Sequence, residues 1–181
     1  MKTKIRQHYQ NLRRAISSEN RDNYAISIFK IITQNFDLTK KNISVFLPIK
    51  KFNEVNTWHL INEIDANFYL PVIKSKTLKH IQFEDKIQLT FNTWGIQEPI
   101  YGIEILPKKF DYVIVPLLAY DKNGHRIGYG AGFYDNLLIQ CNPNCKFIGV
   151  SFFDPLIELI ETYPTDIPMH YCVTPTKILK F

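Results

Sequence analysis

Cysteine is scarce and odd in number: Cys141, Cys145 and Cys172 are the only three in 181 residues. No two of them form a C-x-x-C pair, which excludes a disulfide framework and a cysteine-based zinc site. Cys141 and Cys145 are four apart, but Pro143 between them breaks any helix that could join them. All three read as reduced thiols of a cytoplasmic protein. No apolar run reaches the length of a membrane span, and the opening "MKTKIRQHYQ" lacks the apolar core of a signal peptide. Dense basic clusters are also missing. The formal charge is +5, yet Lys and Arg are spread along the chain in short pairs such as Lys40-Lys41, Lys50-Lys51 and Lys108-Lys109. A mild positive excess suits a small polyanion as well as it suits RNA, and the even spread sets the expectation of small-molecule partners, with no nucleic acid and no membrane.

Repeats, low-complexity tracts and long linkers are absent, so residues 1–181 are expected to form a single domain, acting as a monomer. The 45% apolar and 22% charged fractions are those of an ordinary soluble globular chain. Aromatic residues are plentiful: thirteen Phe and ten Tyr serve to fill a core or to stack on a flat ligand.

Periodicity lays out the elements. In "KTKIRQHYQNLRRAIS", Ile5, Tyr9, Leu12 and Ile16 recur at helical spacing. Ser17 or Ser18 caps a second helix that carries Tyr24, Ile28, Ile31 and Ile32 to about Asn35. Residues 42–49 read as a buried strand ended by Pro48, residues 53–65 as a helix and residues 67–73 as another strand, a strand–helix–strand unit that implies parallel pairing. "HIQFEDK" reads as a strand and "TWGIQEP" as a loop. Residues 111–121 make the strongest strand candidate. A helix follows over 133–141, a strand over 146–152, a short helix over 155–160 and a last strand near 171–174. The pattern predicts an α/β fold, three-layer α/β/α with a mostly parallel central sheet.

Glycine is almost as scarce as cysteine, and four of the seven fall within residues 124–132. "GHRIGYGAGFYD" follows the strongest strand and precedes a helix. Glycines let the backbone turn tightly and let a ligand reach the amides, whose successive N–H groups favour an anion. The loop is neither a Walker A sequence nor a G-x-G-x-x-G in register. Arg126 can pair with phosphate oxygens, and Asp135 can hold Mg2+ together with phosphates and waters. On the first helix Lys2, Arg6 and Arg13 fall within roughly 40° of one another, a basic stripe beside the apolar face that can reach a neighbouring cleft.

"VPLLAYDKNGHRIGYGAGFYD" resembles the signature of the 5-formyltetrahydrofolate cyclo-ligases, roughly V-P-G-x-A-F-D-x-x-G-x-R-L-G-Y-G-G-G-Y-Y-D. The opening helix, "FNTWGIQEP" and "ETYPTDIPMHYCVTP" are similar to further family segments, in order along nearly the whole chain. The resemblance implies conversion of 5-formyltetrahydrofolate to 5,10-methenyltetrahydrofolate, with ATP turned to ADP and phosphate in the presence of Mg2+. It implies Lys2 and Arg6 as ATP contacts. It implies that Arg126, Gly128, Tyr129, Gly130, Ala131, Gly132, Phe133 and Tyr134 wrap the nucleotide and the reacting end of the folate, with Arg126 and Tyr134 catalytic. Leu47, Glu54, Trp94 and Tyr129 would meet the folate, and Asp135 and Asp166 the metal. The chain departs from the pattern at Leu117 and Ala131, where the family has Gly, at Phe133 for Tyr, at Thr165 for His or Trp, and at His170 for Asp. Two rival readings share the loop: an enzyme of phosphorylated sugars, and a nucleotide- or folate-binding module without turnover.

Overall fold

The structure is a computed structural model, and it describes residues 1–75, 77–84 and 87–181. The chain opens with α1 (Lys2–Ala15) and α2 (Ser18–Asn35), then β1 (Asn42–Ser44), α3 (Trp58–Glu63), β2 (Asn67–Lys74), β3 (Thr77–Gln82), β4 (Leu89–Phe91), β5 (Gln97–Pro99) and β6 (Glu104–Ile105). It continues with β7 (Tyr112–Pro116), β8 (Ala119–Tyr120), β9 (Arg126–Ile127), α4 (Phe133–Leu138), β10 (Lys146–Val150), β11 (Tyr171–Val173) and β12 (Ile178–Lys180). Eight strands form one sheet in the order β12-β11-β10-β7-β1-β2-β3-β6. The inner pairings β11-β10, β10-β7, β7-β1 and β1-β2 are parallel, and the strands beyond them at both edges are antiparallel.

Both faces of the sheet are covered, which is why β7 reads as an unbroken apolar run. Tyr112 and Ile114 face one side, where Ala25, Ile28, Phe29 and Ile32 of α2 pack with Leu60 and Ile61 of α3. Val113 and Val115 face the other, against Leu137 and Leu138 of α4 and against Met169. Burying each of these large apolar side chains contributes about 1.5–3 kcal/mol. Helix α2 starts where the Ser17 hydroxyl accepts the Asn20 N–H at 3.2 Å. Its buried face is shifted from the expected one: Tyr24 is exposed, and Ala25 and Phe29 take the inner positions.

Several expectations need correction. The ladder of the first strand stops at Ser44, and residues 45–49 peel away from the sheet, with the Thr57 hydroxyl anchoring the Phe46 carbonyl at 2.6 Å. The helix expected over 53–65 shrinks to Trp58–Glu63, because Asn53 adopts a left-handed conformation at φ 48°. The strand expected over 111–121 ends at Pro116; residues 119–120 instead pair with 126–127 as a small antiparallel ribbon. "TWGIQEP" is half of a β4–β5 hairpin, closed by the Asn92 side chain accepting the N–H of Trp94 and Ile96 at 2.9 and 3.0 Å. "HIQFEDK" supplies only the end of β3, and its Asp85 and Lys86 lie outside the described residues. No helix forms over 155–160: the Leu156 N–H is taken by the Tyr120 carbonyl and the Ile160 N–H by Asp121 Oδ2. Strand β12 was not expected. Among the described residues no helix is long and apolar enough to cross a membrane.

Candidate active site

Strands β2 and β7 flank β1 on opposite sides, so the sheet order reverses at β1. Open α/β sheets take their ligands outside the carboxyl ends of the strands at such a reversal. A cavity of about 780 Å3 lies here, walled by the segment after β1, the segment after β9, the β4–β5 hairpin and the start of α1. The residues singled out by the motifs converge on it from five distant parts of the chain. Lys2 and Arg6 come from α1, Leu47 and Glu54 from the segment after β1, and Trp94 from the hairpin. Arg126, Gly128, Tyr129, Gly130, Ala131, Gly132, Phe133, Tyr134 and Asp135 come from the glycine loop and α4, and Asp166 from the segment before β11. Arg13 alone of the basic stripe does not reach the cavity wall.

The loop is held open from outside. Arg6 Nε donates to the Gly128 carbonyl at 2.8 Å. Gly130 sits at φ +100°, and a Cβ there would lie 3.2 Å from the Arg6 guanidinium, so the close approach requires glycine. Among the described residues, no backbone N–H from Gly128 through Asp135 donates a hydrogen bond within the chain. Gly130, Ala131 and Gly132 are exposed and Phe133, Tyr134 and Asp135 form the first turn of α4, so these amides are free to meet an acceptor-rich ligand on the cavity wall. The departures from the glycine pattern carry no backbone strain: neither Leu117 nor Ala131 has a positive φ. His170 has a structural partner, its Nδ1 accepting the Phe147 N–H at 3.0 Å.

Charges line one side. Arg126 Nη2 donates to Asp135 Oδ1 at 2.7 Å and Nη1 to the Ile167 carbonyl at 2.6 Å. Burial pulls the guanidinium below its ordinary range, and Asp135 and Asp166 oppose that pull. Asp135 Oδ1 also accepts the Ile167 N–H at 3.2 Å. Lys2 Nζ lies 3.5 Å from Asp166 Oδ2 and 4.8 Å from the centre of the Tyr163 ring. The Tyr134 hydroxyl is buried with no hydrogen-bond partner, and burial pushes its pKa up. It can donate to a ligand oxygen.

The rest of the lining is largely apolar, with Leu47, Ile49, Phe52, Pro71 and Ile73 together with the exposed Trp94, whose ring centre is 6.1 Å from that of Phe133. Two buried carboxylates, Glu54 and Glu98, interrupt it. Glu54 Oε1 accepts the Tyr129 hydroxyl at 2.6 Å and Oε2 the Ile49 N–H at 2.8 Å. Burial raises its pKa, while the Ile49 N–H, Tyr129 and Arg13 act to lower it. Sequence reasoning missed Phe52, Tyr163 and Glu98. Glu98 is buried on the cavity wall and accepts Asn92 Nδ2 and the Ile73 N–H, both at 2.8 Å, which ties the hairpin to β2. Only the E-P step after Trp94 hinted at it.

A glycine loop and a largely apolar wall share one cavity at the order reversal of a parallel sheet, the place where α/β enzymes take their ligands. The chain belongs to the 5-formyltetrahydrofolate cyclo-ligase family, whose model matches residues 1–175. The 5-formyltetrahydrofolate cyclo-ligase of Escherichia coli K12 is 30% identical over 145 residues, 75% of this chain and 79% of the relative. That of Haemophilus influenzae is 32% identical over 139 residues, 71% and 73% of the two chains. The NMR structure of Aquifex aeolicus 5,10-methenyltetrahydrofolate synthetase superposes with a TM-score of 0.82 at 26% identity, covering 99% of this chain and 92% of that one. The synthetase of Mycoplasma pneumoniae, at 19% identity and a TM-score of 0.74, shares the fold.

Proposed function

We propose that this protein converts 5-formyltetrahydrofolate to 5,10-methenyltetrahydrofolate, turning ATP into ADP and phosphate with Mg2+, and that residues 1–181 act as one domain and as a monomer. The reaction is the one that the family's names describe, and the unpaired amides from Gly128 through Asp135, flanked by Lys2, Arg6 and Arg126, carry the ATP reading.

The chemistry needs positioning and charge compensation more than covalent help. The formyl oxygen of an amide is a poor leaving group. It attacks the terminal phosphorus of ATP, ADP departs, and the carbon becomes an activated imidate. N10 attacks that carbon, loses its proton, and phosphate leaves with the oxygen. The loop amides, Lys2 and Arg6 hold the triphosphate. Arg126, fixed by Asp135 and the Ile167 carbonyl, meets the transferring group. Tyr134 donates to an oxygen of the reacting centre. Leu47, Trp94 and Tyr129 flank the pterin, with Glu54 beside them.

Mg2+ fits the residues present. No group of three or more metal-ligating side chains exists among the described residues, but Mg2+ in nucleotide sites takes one or two carboxylates together with phosphates. Asp135 and Asp166 each keep one oxygen without a hydrogen bond among the described residues, and both line the cavity. These two would hold the ion, which when bound would neutralise triphosphate charge. The test is direct. Purified protein is mixed with 5-formyltetrahydrofolate and Mg2+, with and without ATP, and methenyl absorbance is followed in the near ultraviolet. ATP-dependent growth is expected; binding of both ligands without growth, or no folate binding, overturns the reading.

A further inference from the structure

Arg13 is the most buried side chain of α1, at 3% exposure, although it is charged. Its guanidinium turns inward. Nη1 donates to the Tyr129 hydroxyl at 3.1 Å, and Nη2 donates to the Leu117 carbonyl. The Tyr129 hydroxyl donates onward to Glu54 Oε1 at 2.6 Å. The Tyr129 ring is clamped against Phe52, with centroids 4.9 Å apart and planes 26° from parallel. A buried cation, a hydroxyl and a buried carboxylate thus form one line from the back of α1 to the cavity wall. Burying either charge alone costs several kcal/mol, so cation and anion here compensate each other through the hydroxyl.

We propose that Arg13 is a positioning residue: it keeps the Tyr129 hydroxyl turned toward Glu54 and supplies a buried positive charge that favours the carboxylate form of Glu54 on the cavity wall. This deepens the cyclo-ligase reading and rests on it for the part Glu54 plays. The formamide of the substrate is neutral, whereas the cyclised N–C–N product is a delocalised cation. A fixed carboxylate beside the ring favours the transition state in which that charge develops. Glu54 is faced by Arg13 from α1, Tyr129 from the glycine loop and Tyr134 from α4; Arg6 of α1 lines the same cavity. On its own segment Lys50 and Lys51 point to solvent. Of these, only Arg13 is a buried cation linked to the carboxylate by hydrogen bonds.

Three variants test it. Arg13→Met removes the charge and keeps bulk, Arg13→Lys keeps the charge and loses the fork, and Tyr129→Phe keeps the stacked ring and loses the link. The acid limb of kcat/KM for 5-formyltetrahydrofolate is expected to move up by about one pH unit in Arg13→Met, and to return most of the way in Arg13→Lys. The acid limb for ATP stays at its wild-type position. A second readout needs no turnover: the 13C carboxyl resonance of Glu54, identified by its loss in Glu54→Gln, titrates about one unit higher in Arg13→Met and in Tyr129→Phe. Thermal melts show which variants fold, and Tyr129→Phe carries the titration if Arg13→Met does not. An unmoved Glu54 titration in folded Arg13→Met or Tyr129→Phe overturns the proposal, as does an equal loss for both substrates in Arg13→Met with no change of limb. Absence of methenyl formation by the wild type would instead sink the cyclo-ligase reading, and the carboxyl titration would still judge Arg13.

Discussion

Gly130 and Ala131 are neighbours in one loop, yet they answer to different constraints. Gly130 stands at φ +100° with the Arg6 guanidinium 3.2 Å from where a Cβ would be; Ala131 has no positive φ. A side chain at Gly130 therefore strains the backbone by roughly 1–2 kcal/mol and displaces Arg6 from the Gly128 carbonyl. Gly130→Ala is expected to raise the KM for ATP about tenfold and lower the melting temperature by several degrees, about 2–4 °C per kcal/mol. Ala131→Gly should leave both within about twofold and one degree of wild type. Steady-state kinetics and thermal melts on the pair check this, and equal effects at the two positions would count against the loop geometry. Asp135→Asn leaves Arg126 without its ionised partner and weakens the carboxylate pair assigned to Mg2+. Charge-assisted hydrogen bonds contribute about 1.5–3 kcal/mol, so kcat/KM for Mg-ATP should fall ten- to a hundredfold, while Kd for folate stays near wild type. At this scale the sequence was informative because the chemistry-bearing residues sit inside quotable motifs. Glu98, Phe52 and Tyr163 do not, and only the folded hairpin and the path after β1 bring them to the cavity.

Between elements, the antiparallel edge of the sheet holds an ionisable group of its own. Ser44 on β1 and His80 on β3 reach across the intervening β2, with Oγ and Nε2 2.9 Å apart, while His80 Nδ1 is buried without a partner. Burial lowers the His80 pKa to about 4 from an ordinary 6.5. The unfolded chain therefore binds the proton more readily between those values, and stability, full above about 6.5, falls as the pH drops toward 4. The loss is on the order of 3 kcal/mol at most. Urea unfolding at pH 7 and pH 5 should show a clear drop in midpoint for the wild type and a smaller one for His80→Gln; equal drops would assign the acid sensitivity elsewhere. Elements were legible where their stabilisation is local or both faces are buried: α1, α2, β7 and β10 follow from periodicity and apolar runs. Strand β3 was blurred, and β6 and β12 were invisible, because two- or three-residue strands carry too little pattern and β6 is fixed by a partner distant in sequence. The segment 155–160 failed for the same reason, as Tyr120 and Asp121 capture backbone groups that a helix would have used.

For the whole molecule the relevant fact is how far apart in sequence the cavity's contributors lie. Helix α1, the segment after β1, the hairpin, the glycine loop and Asp166 meet around the ligand space, and α1 buries no fully apolar side chain of its own. A nucleotide that touches Lys2, Arg6 and the loop amides therefore bridges α1 to the sheet. Any ligand that binds only the folded state stabilises it by RT ln(1 + [L]/Kd), about 2.7 kcal/mol at a hundredfold excess over Kd. For a chain of this size that is a rise in melting temperature of roughly 5–10 °C. Mg-ATP at saturation should produce such a shift in the wild type. In the Lys2→Ala, Arg6→Ala double variant the shift should shrink to within about 2 °C at the same nucleotide concentration, while the free protein, which loses the Arg6–Gly128 hydrogen bond and the Lys2–Asp166 pair, melts a few degrees lower. The +5 net charge adds a long-range attraction that salt screens, with a Debye length of about 8 Å at physiological ionic strength, so the wild-type shift should decline as salt rises from 50 to about 500 mM. A wild-type protein whose melting point ignores Mg-ATP at every salt concentration would mean that the unpaired amides between Gly128 and Asp135 serve something other than a triphosphate.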